Sequence, residues 1–209
     1  MKVRLLLIVA LLLSGCAAAP PEIPQSAIDR NAAERHQQAI ASLTDWSISG
    51  QLALFNRVED DRDAVYLEWQ HAPGEMRLRF YHPLKGTLAR LEEDLTGATF
   101  FDEEGQPYYG VTAEQLIARI FNFQLPLQLL SEVITGRRPD GAVQLSYQLH
   151  DLDGKPYATL NRYLVTTTSE KWQVELSSYQ AEQSYLMPHQ LELISPEWRI
   201  KLKVSQWKL

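Results

Sequence analysis

The spacing of apolar residues changes character several times along this chain. Ile28, Ala32, Ala39, Ile40 and Leu43 recur at helical intervals, and Ser26 followed three residues later by Asp29 supplies a cap signal. From residue 46 the period drops to two. Trp46, Ile48, Leu52 and Leu54 alternate with Ser47, Ser49, Gln51 and Ala53. Val65, Leu67 and Trp69 alternate with Glu68 and Gln70, and Met76, Leu78 and Phe80 with Arg77 and Arg79. The pattern predicts half-buried strands of an antiparallel meander, with Ala72-Pro73-Gly74-Glu75 as one of its turns. Weaker strand signals follow at Leu88 to Leu91, Ala98 to Phe101 and Gln106 to Tyr109, with a turn at Glu104-Gly105.

Helical spacing returns in the middle. Thr112 and Gln115 form a capping box, and Leu116, Ile117, Ile120 and Phe121 make an apolar stripe. Pro126 suits a first helical turn and Gly136 a stop; between them Leu127, Leu130, Val133 and Ile134 form a second stripe. Period two then resumes. Val143, Leu145, Tyr147 and Leu149 alternate with Gln144, Ser146 and Gln148. Arg162 to Thr168 is β-prone, and Trp172, Val174 and Leu176 alternate with Gln173 and Glu175. Leu191, Leu193, Ile200, Leu202 and Val204 complete the pattern. Strands, a helical insert and more strands predict a mainly β (α+β) domain, one antiparallel sheet curled into an open barrel whose mouth or concave face the helices cover. No internal repeat and no domain linker follows residue 30.

Composition narrows the classes. The 209 residues are 45% hydrophobic and 22% charged, with a formal charge of -6. A disordered chain and a multi-spanning membrane protein are excluded, and no basic field is present to collect nucleic acid. The one Cys permits no intramolecular disulfide and no thiolate metal cluster.

Catalytic motifs are missing. There is no nucleophile elbow, phosphate loop or dinucleotide fingerprint. The histidines His36, His71, His82, His150 and His189 are scattered, and surface or loop positions are expected for them. Asp151-Leu152-Asp153-Gly154 matches part of a calcium loop, but Leu149 stands where a further oxygen ligand is needed, and Asp-Gly between strands reads better as a hairpin turn. The acidic runs Glu92, Glu93, Asp94 and Asp102, Glu103, Glu104 fall in turn-like segments where solvated charge is the default. No enzymatic activity, metal or dissociable cofactor is expected. The inward strand residues could form a plain core or line a lipid-binding cavity, and composition does not choose between them.

The amino terminus fixes the compartment. Lys2 and Arg4 precede an apolar run from Leu5 to Leu13, too short to span a bilayer well. Leu13-Ser14-Gly15-Cys16 resembles the lipobox of bacterial lipoproteins. That resemblance implies a signal peptide over 1–15, cleavage before Cys16, and a diacylglycerol and an N-acyl chain carried on Cys16. An ordinary signal peptide with an incidental Cys is the other reading. Ala17 rather than Asp after the Cys implies, by the same resemblance, the outer membrane. Pro20, Pro21 and Pro24 make residues 16–30 an extended tether, leaving 31–209 as the folded domain.

The order of motifs carries a closer resemblance. Gly50-Gln51-Leu52-Ala53, Trp69-Gln70, Arg77-Leu78-Arg79 leading to Pro83-Leu84, Trp172-Gln173-Val174 with Tyr179, Met187-Pro188 and Leu191-Glu192-Leu193 precede a terminal Arg199-Ile200-Lys201-Leu202-Lys203-Val204 and Trp207. From about Trp46 to Trp207 the chain resembles the LolB family of outer-membrane lipoprotein receptors. The resemblance implies an incomplete antiparallel β-barrel, a half-barrel with a helical lid enclosing an apolar cavity for acyl chains. It implies as partners the periplasmic carrier LolA, acylated client lipoproteins and outer-membrane phospholipid, with the chain acting as a lipid-anchored monomer on the periplasmic face. In the family a protruding Pro-Leu-Gly loop carries an exposed Leu needed for delivery. Here the loop is Pro83-Leu84-Lys85-Gly86, with Lys85 displacing the Gly by one position, and the role falls to Leu84. Candidate cavity residues are Leu52, Leu54, Leu67, Trp69, Leu78 and Phe80 from the first strands. The helical stripes add Ile117, Ile120, Phe121, Leu130, Val133 and Ile134, and the later strands Leu145, Tyr147, Trp172, Val174 and Leu176. The rival readings are a structural or scaffolding lipoprotein, with a fully packed core, and a cell-wall hydrolase, with a polar cleft and converging carboxylates.

Overall fold

A computed structural model describes residues 22–24, 28–168 and 170–209. The signal segment 1–15, Cys16 and Ser26 lie outside the described residues. A short strand β1 (Ile23–Pro24) and helix α1 (Arg30–Ala41) precede strands β2 (Trp46–Asn56), β3 (Asp61–Ala72), β4 (Glu75–His82), β5 (Gly86–Asp94), β6 (Gly97–Phe101) and β7 (Pro107–Gly110). Helices α2 (Ala113–Phe121) and α3 (Leu127–Val133) follow. The chain then runs through β8 (Val143–Leu152), β9 (Lys155–Thr166), β10 (Lys171–Ser177), β11 (Gln180–Glu182), β12 (Tyr185–Met187), β13 (Gln190–Ile194) and β14 (Trp198–Lys208).

Twelve strands form one antiparallel sheet in the order β1-β8-β9-β10-β13-β14-β2-β3-β4-β5-β6-β7, and β11 and β12 pair separately. The ends of the large sheet do not meet, so the barrel is open, as the strand–helix–strand pattern predicts. Consecutive strands are joined mostly by tight turns, and the two halves of the chain meet where β14 pairs with β2.

Both faces follow from the period of two. Inward positions in successive strands fall opposite one another: Trp69 faces Leu78, Leu78 faces Leu91 and Leu91 faces Phe100. The outward positions carry charge, including Glu68–Arg79 at 2.9 Å and Arg162–Glu175 at 3.0 Å. Trp46, Trp69 and Trp207 fill one end of the trough with edge-on ring contacts of 5.2 and 5.8 Å.

Gly50, inside the first-strand motif, is required by a close approach. The register of β14 slips between Val204 and Gln206, and a Cβ on Gly50 would stand 2.3 Å from the Lys203 carbonyl oxygen. That neighbour is backbone, fixed from behind by Val204 N–H donating to the His189 carbonyl at 2.9 Å. Gly50→Ala should therefore destabilise the domain by about 2 kcal/mol, as overpacking does, and denaturant midpoints will show it. An unchanged midpoint would mean that β14 can withdraw at no cost.

Three expectations need correction. The cap of α1 is Asp29 itself, whose carboxylate accepts from Asn31 N–H at 3.0 Å, and the buried stripe of the helix is Ala32, His36 and Ile40. The alternation along β8 is broken: Val143 and Leu149 are exposed, whereas Leu145, Tyr147 and Gln148 are buried. Gln144 has a φ of 55°, and the pairing carries an extra residue on β8 before Ser146 and one on β9 after it, so the alternation is interrupted locally and the two shifts cancel by Tyr147. Thirdly, His36 and His189 are core residues. Each finds a backbone carbonyl for one ring nitrogen, Leu186 for His36 Nε2 at 3.0 Å and Val204 for His189 Nδ1 at 3.1 Å, which offsets part of the cost of burying the ring.

Candidate functional site

A cavity of about 670 Å³ opens between the concave face of β2–β6 and helix α2. Side-chain size creates it. Along β3 the inward positions run Trp69, Leu67, Val65 and Asp63, so volume is lost towards the hairpin tip. Leu52 and Leu54 on β2 stand opposite Val65 and Asp63, and two strands further on the small Ala89 of β5 stands opposite Phe80 of β4. The sheet keeps its curvature while its filling shrinks, and space remains.

The roof is set by local capping. Thr112 Oγ1 accepts from Gln115 N–H at 3.3 Å, and the Glu93 carboxylate accepts from Ala113 N–H, satisfying two free donors of the first turn of α2. Arg119 ties the other end of the helix to the Tyr109 carbonyl at 2.7 Å. Asn122 ends it in the left-handed conformation, φ 50°. Ile117, Ile120 and Phe121 then point into the chamber, with Phe123 and Leu125 from the following segment. Phe121 meets Phe100 edge-on at 5.4 Å, and Phe123 lies against Trp198 at 4.0 Å.

Of the candidate cavity residues, the structure brings Leu52, Leu54, Phe80, Ile117, Ile120 and Phe121 together around the chamber. Leu67, Trp69, Leu78, Leu130, Val133, Ile134, Leu145, Tyr147, Trp172, Val174 and Leu176 do not line it; they are buried in the close-packed remainder of the core. In particular α3 is a packing helix rather than part of the roof. Sequence reasoning missed Val65, Leu88, Ala89, Phe100, Phe123, Leu125 and Trp198. Val65 and Phe100 follow from strand alternation. Leu88 does not, because it occupies a bulge between Phe80–Ala89 and Tyr81–Thr87.

The mouth is acidic. Glu59, Asp61, Asp63 and Asp102 line it, with Asn56, Arg62 and Tyr108. Asp102 holds its own turn, accepting from Glu104 and Gln106 N–H and from the Tyr108 hydroxyl, which raises the Tyr108 pKa. Asp94 caps Thr96 through backbone and hydroxyl, which lowers its pKa. Glu93 serves the α2 terminus. Asp94, Asp102 and Glu93 thus have local structural partners. The Asp153-Gly154 pair takes positive φ at both residues, with Gly154 N–H donating to Asp151 at 2.8 Å, and forms the two-residue hairpin turn.

The Leu84 turn joins β4 to β5 at the same end of the sheet as the mouth. Lys85 N–H donates to the His82 carbonyl and Leu84 N–H to His82 Nδ1, both at 3.2 Å. Gly86 closes the turn with φ 84° and pairs with His82. The inserted Lys85 therefore gives the loop a three-residue tip and places Gly where positive φ is needed. Leu84 stands 91% exposed at that tip, an arrangement that burial in this domain does not explain.

The fold and site together define a class: a half-open antiparallel barrel with a helical roof over an apolar chamber, and a protruding apolar turn beside the opening. The sequence matches the family model described as outer membrane lipoprotein LolB over residues 44–207, and the chain belongs to that family. It is an outer-membrane lipoprotein of the lipoprotein-localisation pathway. Relatives named outer-membrane lipoprotein LolB include that of Pectobacterium atrosepticum, 30% identical over 98% of this chain and 94% of the relative. That of Psychromonas ingrahamii is 28% identical over 95% and 92%. Among solved structures, a DUF1329 family protein from Desulfovibrio piger aligns with a TM-score of 0.50 at 9% identity, over 85% of this chain and 90% of that one. The LolA superfamily protein NE2245 from Nitrosomonas europaea aligns with a TM-score of 0.45 at 11% identity, over 86% and 92%. Among the described residues no helix is long and apolar enough to cross a membrane.

Proposed function

We propose that this chain is a receptor, anchored through acyl chains on Cys16, that accepts lipoproteins from the periplasmic carrier LolA and delivers them into the outer membrane. It shelters client acyl chains in the chamber under α2 and works as a monomer on the periplasmic face. The observation that carries this reading is the apolar chamber opening at the same end as Leu84. Its volume lies within the ~300–1,000 Å³ of ordinary ligand sites. A packed scaffold has no use for such a space, and a hydrolase would need a polar cleft where this wall is Leu, Val, Ala and Phe.

Energetics requires a shelter. A triacylated client exposes on the order of forty methylenes, and at about 0.8 kcal/mol each free passage through water is prohibitive. The chamber must hold the chains less tightly than a bilayer does. Transfer then runs downhill from carrier to receptor to membrane, with no catalytic step.

Filling the chamber tests the reading. Ala89→Trp places an indole among Leu54, Val65 and Ile120 without touching the turn. The purified variant should melt near the parent and lose at least about tenfold in capture of an acylated client from the carrier, measured by competition. Undiminished capture would exclude the chamber as the binding site.

A further inference from the structure

The outer face of the β4–β5 hairpin carries an arrangement that folding alone does not favour. Arg79 and Arg90 stand directly opposite each other across the two strands, and like charges in that position destabilise a sheet. Arg79 is partly compensated: it donates to Glu68 at 2.9 Å and to Thr87 at 3.0 Å, and its guanidinium lies 4.9 Å from the Tyr81 ring centre. Arg90 is exposed and rests on the Phe101 ring at 4.5 Å, with no salt bridge among the described residues. The next row towards the turn is aromatic, Tyr66 against Tyr81 at 5.5 Å, and the turn ends in Leu84 and Lys85. From tip to base the face therefore reads apolar, aromatic, cationic, which is the order a protein meets on entering a bilayer interface from the membrane side.

We propose that this face binds the phosphates of anionic membrane phospholipid, with Arg79 and Arg90 meeting headgroups when Leu84 enters the bilayer. The inference deepens the receptor reading, whose delivery step it serves. Dimensions agree. Three residues separate Arg79 from the end of β4, about 10 Å at strand rise, and interfacial elements bury their apolar part ~5–10 Å deep. Leu84 at the acyl boundary thus sets the two guanidinium groups at headgroup level, with Tyr66 and Tyr81 between. Charge is also segregated by face. Asp61 and Asp63 share the inward side of β3 with the cavity, and Asp102 and Glu59 line its mouth. The carboxylates that oppose membrane approach are Glu59, Asp60 and Asp61, exposed on and beside the β2–β3 turn, Glu103 and Glu104, exposed on the β6–β7 turn, and Glu68 beside Arg79.

The test uses the full mature chain with Cys16→Ser, so that no acyl chain masks the contact. It is sedimented with vesicles of phosphatidylcholine alone or with phosphatidylglycerol added. The parent should bind the anionic vesicles selectively and lose that binding in high salt. Arg90→Gln should weaken it about fivefold, the worth of one basic residue near a charged surface. Arg90→Lys should restore it, and Glu103→Gln should strengthen it. Binding that ignores lipid charge, or that Arg90→Gln leaves unchanged while the variant melts like the parent, overturns the proposal. Client capture in solution, measured on the same proteins, judges the receptor reading separately. Capture without charge-dependent binding removes only the headgroup site, and Arg90-dependent binding without capture removes only the receptor.

Discussion

Leu84→Glu should leave capture of an acylated client intact and reduce its insertion into vesicles by more than about tenfold. In the proposed function capture depends on the chamber, whose walls Leu84 does not join. The side chain is 91% exposed and its turn is held by backbone contacts to His82 and by Gly86, so the substitution should change stability by no more than about 0.5 kcal/mol. Delivery is different. Burying a Leu side chain is worth roughly 1.5–3 kcal/mol, and a carboxylate in its place must also be kept out of the apolar layer. Each 1.4 kcal/mol is a factor of ten. Equal insertion rates for parent and variant would remove the turn from the mechanism.

Acid should destabilise the domain well before its carboxylates titrate, and His36 is the reason. Its Nε2–H donates to the Leu186 carbonyl, its ring meets Tyr179 edge-on at 5.8 Å, and its Nδ1 is buried without a partner among the described residues. Burial lowers its pKa from 6.5 to about 4, and nearby His150 pushes the same way. In the unfolded chain the imidazole takes up a proton near pH 6.5; in the folded one it resists to about 4. This contribution is therefore complete above pH 6.5 and is lost as pH falls towards 4, by about 3 kcal/mol in total. His150, lowered by burial, adds in the same direction. His36→Gln can still donate to Leu186 and does not titrate. Denaturant midpoints between pH 7 and 5 should slope down in the parent and less steeply in the variant. Identical slopes would show that His36 does not control the acid response.

Several elements are legible because their causes are local. Thr112, Pro126 and Gly136 mark helix boundaries through their own backbone preferences. The runs from Trp46 to Phe80 declare two faces by alternation, and Asp153-Gly154 declares a turn. Where the reading failed, a distant partner intervened. The alternation of β8 breaks because its pairing with β9 is irregular on both sides of Ser146, and His36 is buried because Leu186, far along the chain, offers it a carbonyl. Within the candidate site, Ile117, Ile120 and Phe121 could be named from the stripe of α2. The equally regular stripe of α3 belongs to solid core, and nothing within either helix distinguishes the two.

By itself the sequence determined the antiparallel faces, the helical insert and the Pro83-Leu84 turn, since each is written in neighbouring residues. Only the tertiary structure decided that the first strands enclose more volume than Val65, Ala89 and Asp63 can fill, and that the opening lies beside Leu84. A cavity is the difference between the curvature of a whole sheet and the sum of side chains drawn from seven strands and a helix. No single segment contains that difference.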